Sequence, residues 1–122
     1  MAARENAESK QAKHDKSDTL AYILADLQRS ENHSSSSRLA YSIQEKLIGA
    51  TQATDRGVQQ APFYVLMGLE APAVLVEIGF ISHPDEGKKL QDAAYQDTLA
   101  HAIADGVKAW LSAVGVRDGE AP

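Results

Sequence analysis

Apolar side chains recur at α-helical spacing in three stretches of the chain. The first stretch predicts a helix over about residues 18–30, with Ser17 or Asp18 as its N-cap. The apolar face of this helix consists of Leu20, Ile23, Leu24 and Leu27. Because such a face usually packs against the core, we expect these four side chains to be buried.

The second and third stretches lie on either side of the middle of the chain. Residues 31–37 contain four consecutive serines, which favour a loop, and the helix after that loop should end near Gly49. Its apolar face consists of Leu39, Ala40, Ile43 and Leu47. The last helix should span about 93–113 and end at Gly115. Its face consists of Leu99, Ile103, Val107, Trp110 and either Val114 or Leu111.

Two short apolar runs between these helices have the composition of β-strands. Residues 63–66 and 73–77 are rich in aromatic and β-branched side chains, are bounded by proline or glycine, and are too short for helices. The second run is apolar up to its last residue, which is typical of a strand covered on both faces. The sequence therefore predicts two strands.

The remaining segments are polar or short. Residues 2–16 have helical propensity but no apolar stripe, and residues 116–122 form a polar tail. A short helix should begin after Ser82, which we expect to be its N-cap, and should run to about Gln91.

This set of elements predicts an α/β fold with about two strands and four to five helices. Two strands do not form a stable sheet alone, and a fully apolar strand needs neighbours on both edges. The sequence is therefore typical of part of a layered α/β domain whose sheet is incomplete. An exposed sheet edge of this kind would favour self-association.

Composition excludes several classes of function. The net charge of −5 argues against non-specific nucleic-acid binding, which needs a basic face. The absence of cysteine excludes disulfides and thiolate metal sites. No run approaches the length of a membrane span. The first residues contain no signal peptide, so an export signal would have to lie upstream.

Glu77 is the candidate catalytic residue because it ends the second predicted strand. Open α/β sheets place their sites at the C-terminal ends of strands. A glutamate there, between Val76 and Ile78, would be partly desolvated, which suits a group that transfers protons. The alternative from spacing alone is structural, in which Glu77 ends a strand or pairs with Arg56.

The segment around Glu77 resembles the closing motif of the zinc-dependent N-acetylmuramoyl-L-alanine amidases. The motif is Pro72-Ala-Val-Leu-Val-Glu77, followed by Gly79-Phe-Ile-Ser82 and an acidic helix. Upstream, the run from Asp55-Arg-Gly57 to Leu66 is similar to the family's corresponding stretch. Downstream, the helix ending at Trp110 resembles its last helix. The resemblance covers residues 34–114 continuously.

The resemblance implies a fold, a reaction and a location. The fold would be a mixed-sheet, phosphorylase/hydrolase-like three-layer domain, of which this chain is the C-terminal half. In the family, a zinc ion held by two histidines and a glutamate activates a water that cleaves the amide bond between N-acetylmuramic acid and L-alanine in peptidoglycan. The glutamate matching Glu77 would be the general base. The location would be periplasmic or extracellular.

The sequence departs from the family in its metal ligands. In the family, the three motifs that supply the zinc ligands lie earlier in the chain than the part that these 122 residues match. We therefore predict no metal ligand in this chain. Glu77 is the only functional residue of the family that has a counterpart here. The four histidines do not have the spacing of a zinc site and should be surface residues: His14, His33, His83 and His101. At His83 the family usually has asparagine.

These expectations divide the chain into three regions. Residues 1–33 would be a polar arm and amphipathic helix, which could be a shortened regulatory insertion. Residues 34–115 would be the C-terminal half of the catalytic domain, and 116–122 the tail. Two functions remain open: the downstream part of an active amidase, and a catalytically inactive remnant that binds peptidoglycan or a protein partner.

Overall fold

The computed structural model of the protein describes residues 19–115, which contain three α-helices and one short 3-10 helix. Helix α1 spans Thr19–Thr51, α2 spans Pro84–Gln91 and α3 spans Ala93–Ala113. The 3-10 helix covers Tyr64–Leu66. Within this part of the chain, no helix combines the length and the apolar character that crossing a membrane requires. The predicted polar arm and polar tail lie outside the described residues.

Helix α1 continues through the four serines, so the predicted loop over 31–37 is wrong. Ser36 Oγ accepts a hydrogen bond from the Ala73 backbone N–H at 2.8 Å, and Ser37 Oγ accepts one from the Gln60 side chain at 3.4 Å. These hydroxyls bond to groups outside the helix instead of capping a helix end. Serine costs a helix less than about 0.7 kcal/mol per residue relative to alanine, so four serines do not by themselves end one.

The predicted strands are absent, so the prediction of an α/β fold is wrong for residues 19–115. Part of the first predicted strand forms the 3-10 helix, and the second, residues 73–77, has no regular secondary structure. A strand is stabilised by hydrogen bonds to neighbouring strands, and the sequence offers only two candidates. The apolar composition of residues 63–66 and 73–77 favours strands locally, but no neighbouring strand is present to stabilise them.

The two C-terminal helices confirm the sequence prediction, with one correction. Helix α2 ends at Gln91 as expected, but its N-cap is His83 and not Ser82, with Pro84 as the first helical residue. Asp92 then caps α3 by accepting a hydrogen bond from the Ala94 backbone N–H at 3.2 Å. Helix α3 stops at Ala113, just before Gly115, whose φ of 88° is in the left-handed region that favours glycine.

Contacts divide the chain into two compact units. Of the described residues, the first unit contains 19–37 and 59–75, and the second contains 38–58 and 76–115. The buried apolar side chains all lie in the second unit: Leu39, Ile43 and Leu47 from α1, and Leu99 and Ala102 from α3. The predicted apolar faces are therefore confirmed at Leu39, Ile43, Leu47 and Leu99. The other predicted members are half-buried, except Val114, which is 47% exposed.

The first unit contradicts the prediction for the N-terminal apolar face of α1. All four side chains of this face are about half or more exposed: Leu20 at 66%, Ile23 at 49%, Leu24 at 58% and Leu27 at 62%. Helical spacing places these side chains on one side of α1, but burial also requires a second surface. In the described part of the first unit, no element covers this face.

The helices of the second unit come into backbone contact at Gly106. A Cβ atom at Gly106 would lie 2.6 Å from Ile43 Cα and 2.9 Å from the Ile43 backbone nitrogen. The Ser42 hydroxyl donates a hydrogen bond to the Gly106 carbonyl oxygen at 2.7 Å. Glycine at this position therefore allows α3 to approach α1 closely.

Candidate functional site

Glu77 lies in the second unit with an exposed side chain, in a segment without regular secondary structure. The expected desolvation by an apolar strand is wrong, since Ile78 is itself 46% exposed. Glu77 is instead an exposed residue at the surface of the second unit. An exposed carboxylate can accept a proton from a water molecule or from a bound substrate.

The chain turns back on itself directly after Glu77. Gly79 has a φ of 140°, in the region that glycine alone adopts readily. The His83 backbone N–H then donates a hydrogen bond to the Phe80 carbonyl oxygen at 3.1 Å, which closes the turn. A Cβ atom at Gly79 would lie 3.5 Å from Leu90 Cδ1. Residues 79–83, called here the Glu77 turn, therefore rest against α2.

Glu86 anchors the Glu77 turn from the first turn of α2. Its Oε2 accepts a hydrogen bond from the Phe80 backbone N–H at 2.9 Å, and its Oε1 forms an ion pair with Arg56 Nη2 at 3.2 Å. The Arg56 guanidinium carbon also lies 5.3 Å from the centre of the Phe80 ring, within the range of a cation–π contact. Arg56, considered above as a partner of Glu77, thus forms an ion pair with Glu86.

These contacts stabilise the ionised form of Glu86. The hydrogen bond from the Phe80 backbone N–H is the largest cause that lowers the pKa of Glu86, and partial desolvation acts in the opposite direction. The charges of Arg56 and His83, and the Arg56 hydrogen bond, lower this pKa further. Glu86 is therefore an anion at neutral pH. It holds the Glu77 turn by accepting the hydrogen bond from the Phe80 backbone N–H.

His83 caps the helix that carries Glu86. Its Nδ1 atom accepts hydrogen bonds from the backbone N–H groups of Asp85 and Glu86, both at 3.2 Å. The sequence analysis missed both His83 as the cap and Glu86 as the anchor. The signal was present, because proline favours the first helical position and the residue before Pro84 is then the N-cap.

The loop that carries Arg56 is held by a second carboxylate. Asp55 Oδ1 accepts hydrogen bonds from the Gln44 side-chain amide at 2.9 Å and from the Gly57 backbone N–H at 2.8 Å. The Gln44 bond, followed by the Gly57 bond, lowers the pKa of Asp55, against a small opposing effect of burial. Gly57 has a φ of 76°, so it turns the chain where a larger residue would be strained.

The described residues do not fit the zinc ion that the resemblance implies. Within 19–115, no three histidine, aspartate or glutamate side chains come together as a metal site. His33 is exposed on α1, His83 is the α2 cap, and His101 Nδ1 lies 2.8 Å from the Asp97 carbonyl oxygen on α3. His14 lies outside the described part of the chain.

An open groove of about 550 Å³ lies elsewhere in the second unit. Its ionisable lining residues come from α1 and α3: Glu45, Lys46, His101 and Asp105. Glu77 is not among the lining residues of this groove.

Several known proteins are similar to this chain. An uncharacterized protein of Bacillus subtilis (strain 168), YqiI, is 40% identical over 75 residues, which are 62% of this chain and 36% of that protein. The N-acetylmuramoyl-L-alanine amidase LytC of the same organism is 46% identical over 71 residues, 58% of this chain and 14% of LytC. The N-acetylmuramoyl-L-alanine amidase AmiA of Escherichia coli (strain K12) is 37% identical over 93 residues, 76% of this chain and 32% of AmiA. No solved structure matches the chain.

These matches cover most of this chain but only part of each relative. The chain spans 36% of the length of YqiI and smaller shares of LytC and AmiA. The sequence profile of one family, described as N-acetylmuramoyl-L-alanine amidase, matches residues 7–109. That range includes Glu77, the turn after it and the residues that anchor the turn. The chain therefore belongs to the N-acetylmuramoyl-L-alanine amidase family.

Proposed function

We propose that this chain contributes to hydrolysis of the amide bond between N-acetylmuramic acid and L-alanine in peptidoglycan, with Glu77 as the general base. The observation that carries the proposal is an exposed carboxylate within the range that matches the family, at the start of an anchored turn. The names of LytC and AmiA support the reaction class. A periplasmic or extracellular location follows from the substrate.

The proposed role of Glu77 is proton transfer. A Glu77 carboxylate oxygen takes a proton from water as the water oxygen bonds to the amide carbonyl carbon. The carbon–nitrogen bond then breaks, and the same proton passes from Glu77 to the leaving amine nitrogen. The carboxylate returns to its starting state, so no further reactant is needed.

The family resemblance makes zinc the expected cofactor, but residues 19–115 offer no site for it. We therefore propose that any metal would be held by residues other than those described here, and we assign no step to it. In this proposal residues 34–115 supply the proton-transferring group, and another part of the enzyme supplies the metal ligands.

A chimera with AmiA tests the proposal. The part of AmiA that is similar to this chain would be replaced by the corresponding residues of this chain, and release of dye from labelled peptidoglycan would be measured. We expect an active chimera, in which Glu77→Gln lowers kcat by about 10²–10⁴-fold, the usual contribution of a general base. The matched control is Glu70→Gln, a nearby exposed glutamate, which should leave kcat unchanged.

Two results would contradict the proposal. If the Glu77→Gln chimera cleaved peptidoglycan as fast as its parent, Glu77 would not be the general base. If the parent chimera folded and bound zinc but released no dye, while the 122-residue chain bound insoluble peptidoglycan, the alternative would be favoured. That alternative is an inactive amidase remnant that binds peptidoglycan or a protein partner.

A further inference from the structure

We propose that His83 is a pH-dependent positioning residue for the Glu77 turn. Neutral His83 caps α2 and thereby keeps Glu86 on the Phe80 amide, and protonation of His83 releases the turn. The consequence for catalysis rests on the proposed function of Glu77. The change in the turn itself does not, and it can be measured without turnover.

The cap requires one protonation state of the imidazole. Backbone N–H groups only donate hydrogen bonds, so Nδ1 must accept both bonds from Asp85 and Glu86. A protonated imidazole carries hydrogen on both ring nitrogens and has no acceptor left. It would also place a positive charge at the positive end of the helix dipole. Protonation of His83 therefore removes the cap and adds repulsion in its place.

The first turn of α2 connects His83 to the Glu77 turn. Gly87 donates its backbone N–H to the His83 carbonyl oxygen at 2.7 Å, which closes that turn of the helix. Gly87 is buried, and a Cβ atom there would collide with the Ile81 carbonyl oxygen, so α2 packs directly on the Glu77 turn. Glu86 occupies the same helical turn and accepts the Phe80 N–H. Fraying of this helical turn would therefore loosen both contacts together.

Of the ionisable residue types around the cap of α2, histidine is the one that ordinarily changes charge near neutral pH. The acidic side chains of the first turn are Asp85 and Glu86, and Arg56 is ion-paired with Glu86. The pKa of Glu86 is lowered, so this carboxylate stays ionised where a histidine titrates, between about pH 5 and 8. His83 is exposed and exchanges protons with solvent freely.

Nuclear magnetic resonance on the full 122-residue chain tests this directly. The ¹⁵N shift of His83 Nδ1 and the amide shifts of Phe80, Asp85 and Glu86 would be followed from about pH 8 to 5. We expect all four to move with one midpoint, and hydrogen-exchange protection of the Gly87 amide to fall about fivefold, the effect of losing a typical N-cap.

Two variants distinguish the effect of the His83 cap from the effect of the other histidines. His83→Asn supplies a cap that does not titrate, so it should keep the Phe80 amide shift and the Gly87 protection constant over the same range. His101→Gln removes a histidine of α3 whose ring nitrogen lies 2.8 Å from the Asp97 carbonyl oxygen, and it should leave the wild-type response intact. The proposal is overturned if the Phe80 amide does not follow the His83 midpoint, or if His83→Asn retains the pH response.

Discussion

At the scale of single residues, Glu86 links three parts of the second unit through one carboxylate. One oxygen accepts the Phe80 backbone N–H and the other pairs with Arg56, while the residue itself lies in the first turn of α2. The Arg56 and Glu86 side chains are 56% and 30% exposed, so solvent weakens the ion pair. The backbone hydrogen bond is therefore the more important of the two contacts.

Glu86→Gln should remove a pH-dependent part of the stability. The pKa of Glu86 is lower in the folded chain than its ordinary value of 4.5, so its ionised form stabilises the folded state. Titration of Glu86 itself removes this contribution as the pH falls from 4.5 through the folded-state pKa, which is below the range where a histidine titrates. We expect the variant to melt a few degrees below the wild type near neutral pH, with the difference shrinking in acid.

Thermal melts of both proteins over a series of pH values check this expectation. Asp55, whose pKa is also lowered, is present in both proteins and cancels in the comparison. Glu70→Gln is the control, since an exposed glutamate outside the turn should give a difference that does not vary with pH. A constant difference between Glu86→Gln and wild type down to strongly acidic pH would show that the charge of Glu86 is not stabilising.

Gly106→Ala should destabilise the second unit by about 1–3 kcal/mol, the usual cost of overpacking. The added Cβ would lie 2.6 Å from Ile43 Cα, and backbone atoms cannot move aside as a flexible side chain can. The helices would have to separate, which would also lengthen the 2.7 Å hydrogen bond from Ser42. The measurement is the free energy of unfolding from urea titration.

Gly49→Ala is the matched control for Gly106→Ala. Gly49 lies inside α1, and a Cβ atom there would meet nothing within 4 Å. Alanine is the better helix former by about 0.8–1.0 kcal/mol, so this variant should be more stable than the wild type. Equal effects of the two substitutions would show that the contact between Gly106 and Ile43 does not limit the packing.

At the scale of elements, the two ends of α1 have different environments. The C-terminal part buries Leu39, Ile43 and Leu47, whereas the N-terminal part leaves its apolar face exposed. Both parts have apolar residues at helical spacing in the sequence. The difference arises because α3 packs on the C-terminal part through Gly106, and no described element of the first unit covers the N-terminal face.

Leu24→Gln and Ile43→Ala should therefore have very different costs. Leu24 is 58% exposed, and a polar replacement should change the free energy of unfolding by less than about 0.5 kcal/mol. Ile43 is 4% exposed, and its truncation should cost about 2–5 kcal/mol by leaving a cavity. Urea titration of both variants checks the prediction. A large loss for Leu24→Gln would mean that this face is buried in solution.

At the scale of the whole molecule, the described chain is helical and has no sheet. The predicted route to self-association, an exposed sheet edge, is therefore absent from residues 19–115, and self-association itself stays a prediction. The chain also spans 36% or less of the lengths of YqiI, LytC and AmiA. A sheet forms only when strands pair, and two isolated candidates cannot supply that pairing.

The sequence by itself determined the features that depend on neighbours along the chain. The spacing of apolar residues predicted α3 and the buried part of α1, and the capping and proline signals predicted α2. The motif around Glu77 predicted the family. These signals are local, because helical hydrogen bonds join residues four apart and a motif is contiguous. Glu77 as the catalytic residue stays a prediction.

Only the tertiary structure decided which local preferences were realised. The serines of α1 remained helical with Ser36 bonded to Ala73, and the apolar segment at 73–77 did not become a strand. Glu86 also pairs with Arg56, which lies 30 positions earlier in the chain. Such contacts depend on which surfaces meet after folding. The spacing of residues along the chain therefore does not predict them.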